Sequence, residues 1–505
     1  MGFFDYAGKF VLLSSQGLTT ELAAAQPHAS FLRAMAPATA KKPFRSKTGP
    51  KLKMRVHDQV ADDGAKLVEL DDPATRMALR AEQPSLRLVP VRFYRPALYR
   101  PRLAPKVATA AATLAATVQV KIRVISKLDG QPIRNAMVVG FTDFAARQGA
   151  QGTTNASGEV KLTFAGSKLQ RLYVYPELGF WSVLKRNVTL GPLIEVKATP
   201  IDLSVTDCVR HFYGSPQPPA LSVGTNVTVG VLDTGVGPHS DLRVDGGACT
   251  IIGDTPTDFG DNGENHGTHV GGIIASRGTA PTGVRGIAPG VRLRSYRVFP
   301  KQGVADLSPS FAIAKAIHLA VQDGCHLINM SLKLEQDDGS PDPTVQAAVA
   351  FANQHGSVVI AAAGNDDRSP VSFPAADALA IAVSAMGRKG TFPRGTTESA
   401  DVAKPTGTDK NDFLAAFSNV GPELDVTGPG VGVISTVLGG HGVMSGTSMA
   451  CPAETGRCAA ILAQNAALLA LPANAARSDA IKQMMLQAAS SLGFGPTFEG
   501  LGLLP

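Results

Sequence analysis

From Thr206 onward, short apolar runs alternate with longer segments whose apolar residues recur at helical spacing. Residues 227–236 read VTVGVLDTGV, and a run this apolar is typical of a strand buried on both faces of a parallel sheet. Two predicted helices read FAIAKAIHLAVQD, which Ser308 and Pro309 would cap and begin, and PTVQAAVAFANQH. Each is followed by a glycine and then by another apolar strand, HLINMSL or VVIAAAGN. This alternation predicts an α/β domain with a doubly wound parallel sheet over residues 206–505.

Residues 117–205 carry a different pattern, in which short β-rich runs are broken by the turn sequences DG, NASG and PELG. Runs of this length and spacing predict a small β-sandwich module. Its sequence DGQPIRNAMV, followed by a glycine turn and GEV, is similar to prealbumin-like and carboxypeptidase-regulatory-like modules, which carry no chemistry. We therefore expect a spacer or docking module, with Trp181, the only tryptophan of the chain, in a packed core rather than on a ligand platform.

Residues 1–116 form the least regular part of the chain. The first half mixes short apolar clusters with Pro, Ala and Lys and keeps no persistent period, so we expect part of it to be disordered. Residues 55–99 predict strand, helix and strand, with the helix ATRMALRAEQ at 74–83 and the second strand LRLVPVRFY at 86–94. Residues 101–116, rich first in Pro and then in Ala, predict a linker.

The formal net charge of +7 is concentrated in this first segment. Residues 1–116 hold 18 Lys and Arg against 9 Asp and Glu; the totals are 48 and 41, so the rest of the chain holds 30 against 32. The most basic stretch, KKPFRSKTGPKLKMR at residues 41–55, could bind nucleic acid or anionic lipid. Because Pro and Gly interrupt it, we interpret it as a solvated linker and expect no nucleic-acid partner.

The five cysteines are too few, and too odd in number, for a disulfide scaffold, so we expect reduced thiols. Cys451 and Cys458 lie in one predicted helix with Cα atoms about 10 Å apart, beyond the reach of a disulfide. The N-terminal sequence MGFFDYAGKFVLLSSQGL lacks a basic leader region, and no apolar run is long enough to cross a bilayer. From these features we expect no signal peptide, no membrane span and either a cytoplasmic location or an unrecognised export route.

Three side chains in the α/β region could combine for nucleophilic catalysis. Ser448 follows a Gly-Thr pair at the mouth of an Ala-rich predicted helix, where unpaired N–H groups and the helix dipole favour an oxyanion. Taken alone, it could instead be an N-cap serine after a glycine turn. His266 opens another predicted helix and Asp233 ends a predicted strand, so a base and an orienting carboxylate are present. The other helical histidines are expected to be packing residues: His269, His318 and His355.

These three residues stand in blocks that resemble the signatures of the subtilisin-like serine proteases. The blocks are DTG at 233–235, HGTHVGGI at 266–273 and GTSMACP at 446–452. Their order along the chain, Asp then His then Ser, is also the order of that family. VVIAAAGND at 358–366 resembles the strand that ends in the family's oxyanion-hole asparagine, here Asn365, and NMSL at 329–332 resembles the edge strand that pairs with substrate.

The resemblance implies a serine endopeptidase of subtilisin-like fold that acts on protein or peptide substrates without a cofactor. Ser448 would attack the peptide carbonyl, His266 would carry the proton, and Asp233 would hold the imidazole tautomer. The oxyanion would lie between the Ser448 N–H and the side chain of Asn365. An extended substrate would add a strand at the implied binding residues Ser331, Leu332 and Gly364.

Several positions depart from the family pattern. Lys333 replaces the glycine expected after Ser-Leu and could crowd or charge the cleft, and Glu454 is an unusual residue in the active-site helix. Asp366, next to the predicted oxyanion residue, could favour a basic side chain before the cut or could be a solvated loop acid. The loop at 277–286 lacks side-chain carboxylate and amide oxygens, so we expect no family-type calcium there and assign no metal ligands. Residues 387–413 look like a polar, mobile insertion near the cleft rim.

These departures leave open a second hypothesis, a protease-like binding protein whose cleft holds a partner without cutting it. Residues 55–99, in turn, are loosely similar to the small inhibitory prodomains of these proteases. We predict that residues 1–116 pack over the substrate strand near Ser331 through main-chain hydrogen bonds and deliver a linker around Tyr99 to Pro105 into the cleft. The basic excess would favour an acidic cleft rim, and self-cleavage in or after the linker could release the segment.

Overall fold

The computed structural model describes residues 4–15, 17–20, 27–35, 37, 54–70, 73–104, 117–204, 217–301 and 307–505. Cys208, most of the basic stretch at 41–55 and the part of the predicted linker after Ala104 lie outside these residues. The four described cysteines are free and buried, which confirms that Cys451 and Cys458 do not bridge. Within the described residues, no helix reaches the length and apolarity that a membrane span needs.

The described residues of the N-terminal segment form a four-stranded antiparallel sheet with two helices. Its elements are β1 (Lys9–Ser14), α1 (Pro27–Arg33), β2 (Met54–Gln59), β3 (Lys66–Leu70), α2 (Pro73–Glu82), β4 (Leu86–Pro90) and β5 (Phe93–Pro96). The sheet order is β2-β3-β1-β4. Sequence analysis missed β1, a central strand, because KFVLLS is an isolated apolar run whose partners lie far along the chain.

The strand predicted at 86–94 is in fact two strands that belong to different sheets. Pro90 ends β4, because proline cannot donate to a continuing ladder. The chain then turns away, and β5 pairs with strands of the α/β domain. Because of this break, β4 belongs to the N-terminal sheet and β5 belongs to a sheet with β16 and β18 of the α/β domain.

Seven strands form the β module as two facing sheets, β11-β10-β7-β8 and β12-β6-β9. They are β6 (Thr117–Ser126), β7 (Met137–Asp143), β8 (Gln148–Thr153), β9 (Glu159–Ala165), β10 (Lys168–Tyr175), β11 (Val183–Thr189) and β12 (Leu193–Ala198). Alternate residues of β6, such as Val120 and Ile122, point into the core between the sheets. The NASG turn before β9 forms because the Asn155 side chain accepts backbone N–H bonds and Gly158 adopts a positive φ of 69°.

The α/β domain follows. Its elements are β13 (Thr228–Asp233), β14 (Gly247–Cys249), α3 (His266–Ala275), β15 (Arg292–Arg297), β16 (Ser308–Pro309), α4 (Ser310–Gln322), β17 (Leu327–Met330), β18 (Leu332–Leu334), α5 (Pro343–Gln354), β19 (Val358–Ala362), β20 (Ile381–Arg388), β21 (Val402–Thr406), β22 (Asp412–Ala415), β23 (Val426–Pro429), β24 (Val433–Val437), β25 (Gly440–Met444), α6 (Thr447–Ala463), α7 (Ala466–Leu469), α8 (Ala475–Ala488) and α9 (Pro496–Glu499).

A nine-stranded sheet forms the centre of this domain, in the order β14-β15-β13-β17-β19-β20-β22-β21, with β23 also on β20. The pairs from β14 to β20 are parallel. Val229 and Val231 of β13 pack with residues of α3 and α6, whereas Leu232 packs with residues of α4 and α5. Because helices cover both faces, the strands are apolar at consecutive positions, and the predicted doubly wound α/β fold is confirmed.

One local prediction in this domain was wrong. Ser308 and Pro309 do not start a helix, since they form β16 and pair with β5, and α4 begins at Ser310. Residues 387–413, which we predicted to be a polar, mobile insertion, form regular structure. They contain a 3-10 helix (Thr397–Ala400) and strand β21, which extends the sheet through β22.

The β module docks on the α/β domain beside this folded insertion. Trp181 is buried, as predicted, but its apolar cluster includes Met386 and Ile434 of the α/β domain. Ser182 Oγ donates to the buried carboxylate of Glu398, with Oγ–Oε2 at 2.8 Å. The core that holds the tryptophan is therefore an interface between two domains.

The N-terminal sheet docks on the helical layer that contains α4. Val11 and Leu13 share an apolar cluster with Phe311 of α4. Lys315 of the same helix forms a 2.7 Å ion pair with Asp58. The N-terminal segment is thus packed directly on the α/β domain.

Candidate active site

Asp233 ends β13 at the carboxyl edge of the parallel sheet, where functional side chains of such sheets meet. Its side chain is fully buried. Oδ1 accepts a hydrogen bond from the backbone N–H of Thr234 and lies 2.7 Å from Nδ1 of His266. Because a carboxylate only accepts hydrogen bonds, Nδ1 is the donor and Nε2 is the nitrogen left to act as a base.

His266 is the first residue of α3 and follows Asn265, which has a left-handed backbone conformation (φ 68°). Its neighbour Gly267 packs against the loop after β13. A Cβ atom on Gly267 would lie 2.2 Å from the carbonyl oxygen of Gly235, so only glycine allows this approach. The sequence around the histidine therefore brings the ring to the end of β13.

Ser448 lies in the first turn of α6, which begins after Gly446 at φ 152°. Its hydroxyl donates to the carbonyl oxygen of Ser331, with an O–O distance of 3.0 Å. Nε2 of His266 has no hydrogen-bond partner among the described residues. Proton transfer from serine to histidine therefore requires the hydroxyl to rotate away from Ser331.

Asn365 lies directly beyond β19, as the resemblance implied. Its Oδ1 accepts from both the backbone N–H and the hydroxyl of Thr447, each at 2.9 Å. These two bonds orient the side chain so that Nδ2 donates to the carbonyl oxygen of Ala97. The same oxygen accepts from the backbone nitrogen of Ser448 at 3.1 Å. Two donors thus converge on one peptide carbonyl beside the candidate nucleophile.

The chain around Ala97 lies in the cleft as an extended strand. β5 pairs with β18 in antiparallel register, with Pro96 opposite Leu332, and on its other side with β16. The Ala97 N–H donates to the carbonyl oxygen of Ser331 at 3.0 Å, and the Tyr99 N–H donates to Ser445 at 2.9 Å. Main-chain hydrogen bonds therefore hold the segment on both sides of the peptide bond that follows Ala97.

The chain enters the cleft earlier than we predicted. We predicted a linker around Tyr99 to Pro105, whereas residues 93–99 already pair with strands and loops of the α/β domain. No motif marks Ala97, since its position depends on pairing with β18, more than 200 residues away. The only local signal is a pair of prolines, Pro96 and Pro101, which favour extended backbone at the residues before them.

Tyr94 anchors β5 three residues before Ala97. Its side chain is fully buried, and its hydroxyl donates to Asp342 Oδ2 at 3.1 Å. Burial raises the pKa of Tyr94 well above its ordinary value and also raises the pKa of Asp342. Asp342 caps α5 through the backbone N–H of Thr344, so the tyrosine is tied to a rigid helix start.

Lys333 lies in β18 and is nearly buried beside the cleft segment. Its ammonium group lies 2.6 Å from Asp366 Oδ1. Arg95 of β5 forms a 2.9 Å ion pair with Glu335 and lies 3.9 Å from Asp366. Asp366 is therefore not a solvated loop acid, because it neutralises a lysine of the cleft wall.

The remaining predicted residues have distinct positions. Leu332 begins β18, and Gly364 donates its backbone N–H to Thr447 Oγ1 at 3.1 Å. His269 lies one turn after His266, and its Nε2 is 3.0 Å from the carbonyl oxygen of Val433. Burial lowers the pKa of His269 to about 3, and the nearby His266 acts in the same direction. His269 is thus a neutral packing residue, as predicted.

The chain is similar to proteins of a known family. The model of the subtilase family matches residues 224–502. Subtilisin BL of Lederbergia lenta is 37% identical over 245 residues, which cover 48% of this chain and 78% of that protein. The thermostable alkaline protease of Halalkalibacterium halodurans is 34% identical over 282 residues, covering 56% of this chain and 66% of its own length. Alkaline elastase YaB of Bacillus sp. (strain YaB) is 37% identical over 243 residues, covering 48% of this chain and 56% of its own length.

The family match spans the α/β domain and includes Asp233, His266, Asn365 and Ser448. It covers more than half of the chain, and Subtilisin BL is matched over most of its length. The chain therefore belongs to the subtilase family and is a subtilisin-like serine endopeptidase.

Proposed function

We propose that Ser448, His266 and Asp233 form the catalytic triad of this endopeptidase. We further propose that its N-terminal segment is a substrate-like inhibitor that the enzyme cuts between Ala97 and Leu98. The observation that carries the proposal is the position of the Ala97 carbonyl oxygen, which accepts hydrogen bonds from the Ser448 backbone and the Asn365 side chain. A carbonyl at that position is the one whose developing negative charge the site would stabilise.

The chemistry follows from the geometry. Ser448 Oγ forms a bond to the carbonyl carbon of Ala97 as its proton moves to His266 Nε2. The Ala97–Leu98 bond then breaks, and the proton passes to the new amino group of Leu98. Water hydrolyses the ester in a second cycle with the same base, which frees the Ala97 carboxylate and regenerates the serine. Asp233 stabilises the imidazolium in both steps through its bond to Nδ1.

Restraint follows from the contacts of the same segment. β5 uses the main-chain positions of β18 and β16 that an external peptide would need. Arg92 adds ion pairing and backbone contacts at the cleft rim, with Nη2 at 2.9 Å from Asp338. Its guanidinium also donates to the carbonyl oxygens of Ser340 and Gln336. Arg92 and Arg95 of the N-terminal segment thus face Asp338 and Glu335 of the α/β domain, which fits the excess of basic residues in the first 116 residues.

The cut is tested by following the full-length chain during cell-free synthesis with intact-mass analysis. We expect products that end at Ala97 and begin at Leu98, and no cleavage of the Ser448→Ala chain. Ser167→Ala, an exposed serine of the β module, is the matched control and is expected to be cut normally. Cleavage of the Ser448→Ala chain, or a cut at another bond in the wild type, would contradict the proposal.

Restraint is tested with Leu98→Pro, which blocks the cut but leaves the proposed triad intact. The backbone nitrogen of Leu98 donates no hydrogen bond among those found in the described residues, so proline removes none of them. We expect the uncut protein to react with a fluorophosphonate probe far more slowly than the processed wild type. Leu98→Met is expected to be cut and labelled normally. Equal labelling of uncut Leu98→Pro and processed wild type would overturn the restraint.

A further inference from the structure

After Ala97, the chain leaves the catalytic residues along a surface that two domains share. The ring of Tyr99 stacks on Phe417 of the α/β domain, with centroids 4.5 Å apart. Five residues further on, the Ala104 N–H donates to the carbonyl oxygen of Arg147 in the β module at 3.0 Å. Leu103 packs in an apolar cluster of the same module. The β module therefore forms part of the groove on the side after the proposed cut.

Arg100, the third residue after the cut, reaches the β module between these points. Its guanidinium carbon lies 5.4 Å from the ring centroid of Tyr175, within the range of a cation–π contact. Tyr175 is itself nearly parallel to Tyr173, with centroids 6.0 Å apart, so its ring has a fixed orientation at the end of β10. An aromatic face is thus presented to the arginine.

Two carboxylates act electrostatically on this arginine. Burial lowers the pKa of Arg100 and Arg102 acts in the same direction, whereas Tyr175, Glu264 and Glu177 act in the opposite direction. Glu177 belongs to the β module, and Glu264 belongs to the α/β domain. A cation with an aromatic face and two acidic groups around it keeps its charge when it is partly removed from water.

The docking of the two domains fixes Glu177. Its Oε1 accepts a hydrogen bond of 3.1 Å from Nδ2 of Asn265, the residue before His266. Two residues later, the Gly179 N–H donates to the carbonyl oxygen of His441 at 2.8 Å. The loop that follows Tyr175 is therefore held against the edge of the active site, and docking of the module brings Glu177 to the same side of the α/β domain as Asn265 and Glu264.

We propose that Tyr175, Glu177 and Glu264 form a substrate subsite for a basic side chain at the third residue after the cut bond. The β module would then be a part of the enzyme that sets specificity, and its substrates would be peptides or proteins with Arg or Lys at that position. This inference rests on the proposed cut between Ala97 and Leu98, because that bond defines the count. Arg100 is the occupant that the chain itself supplies.

The test uses the full-length protein after self-cleavage and three internally quenched peptides that copy residues 93–104. One peptide keeps arginine at the position of Arg100, and the second carries citrulline there, which has nearly the same shape without the charge. A third peptide carries citrulline at the position of Arg102, which is exposed and serves as the matched control. The measured quantity is the ratio of kcat/KM between peptides on the same enzyme, which a general loss of activity does not change.

We expect the wild type to prefer arginine over citrulline at the third position by about tenfold, and to ignore the change at the control position. Glu177→Gln should lower that preference, although glutamine keeps an oxygen to accept the Asn265 hydrogen bond. Tyr175→Leu should also lower it, whereas Tyr175→Phe should retain it. Glu177→Gln removes the charge but keeps the shape of the side chain. Comparison of Tyr175→Leu with Tyr175→Phe separates loss of the aromatic ring from loss of the hydroxyl group.

Equal cutting of the first two peptides by the wild type, at the expected bond, would overturn the subsite alone. An unchanged preference in both Glu177→Gln and Tyr175→Leu would also overturn it. If no peptide is cut between the copied Ala97 and Leu98, the proposed function fails and the subsite falls with it.

Discussion

The carbonyl oxygen of Ala97 lies 3.1 Å from the backbone nitrogen of Ser448. This contact relates two parts of the chain that share no local sequence signal. It fixes which peptide bond faces the nucleophile, and it fixes which side chain occupies the position before the cut.

Loss of the Asn365 donor should slow catalysis without abolishing binding. In Asn365→Ala the oxyanion keeps only the Ser448 backbone donor, so we expect kcat for peptide hydrolysis to fall by about 10² to 10³. KM should change little, because the main-chain pairing with β18 remains. Steady-state kinetics of the processed protein measure both constants. A fall confined to KM would place Asn365 in substrate binding instead.

Lys333 should restrict the residue before the cut to small side chains. The nearly buried ammonium group of Lys333 is held by Asp366, and both residues line the same pocket as Ala97, a small residue. In Lys333→Gly we expect the preference for Phe over Ala at this position to rise by about tenfold or more. Paired peptides that differ only there measure the ratio.

Asp366→Asn is the matched comparison, since it keeps the bulk of Lys333 in place. We expect it to leave the ratio of Phe to Ala nearly unchanged. An equal rise in both variants would show that the charge pair, rather than the volume of the lysine, sets the preference.

The contact between Ser182 and Glu398 should stabilise the docked module. Ser182→Ala removes the hydroxyl partner of a buried carboxylate, which costs about 1 to 3 kcal/mol. We expect a drop of several degrees in the melting temperature, measured by calorimetry in the Ser448→Ala background to prevent proteolysis. Ser167→Ala should have the same melting temperature as its parent. An unchanged melting temperature for Ser182→Ala would show that this contact does not stabilise the docked module.

Acid should destabilise the α/β domain through His326. Its Nδ1 accepts the Thr228 backbone N–H at 3.1 Å, so it must lack a proton there. Burial lowers the pKa of His326 to about 4, and Arg477 acts in the same direction. Because the unfolded chain binds this proton near pH 6.5, the stability contribution is complete above that pH and is lost as the pH falls toward 4.

The measurement is the melting temperature between pH 4 and pH 8 for His326→Asn, again with Ser448→Ala. We expect a shallower decline between pH 6.5 and pH 4 than in the parent protein. Parallel curves for the two proteins would exclude His326 as a source of acid lability.

The candidate catalytic residues could be identified in the sequence because each depends on local structure. Asp233 ends a strand, and His266 and Ser448 begin helices, so short motifs describe their surroundings. β1 and the cleft position of Ala97 could not be predicted, since both depend on strand pairing between distant residues. The regular structure of residues 387–413 was not predicted for a related reason. Glu398 in this polar segment is buried against Ser182, which lies in another domain.

The residues that follow Leu98 belong to the same covalent chain as the β module. Cutting after Ala97 would therefore free only one half of the bound peptide. The half that contains Tyr99 and Arg100 would remain tethered beside its own binding site, at an effective concentration of about a millimolar. An incoming substrate would have to compete with this tethered strand, so the length of the connection to β6 would regulate how fast the mature enzyme works.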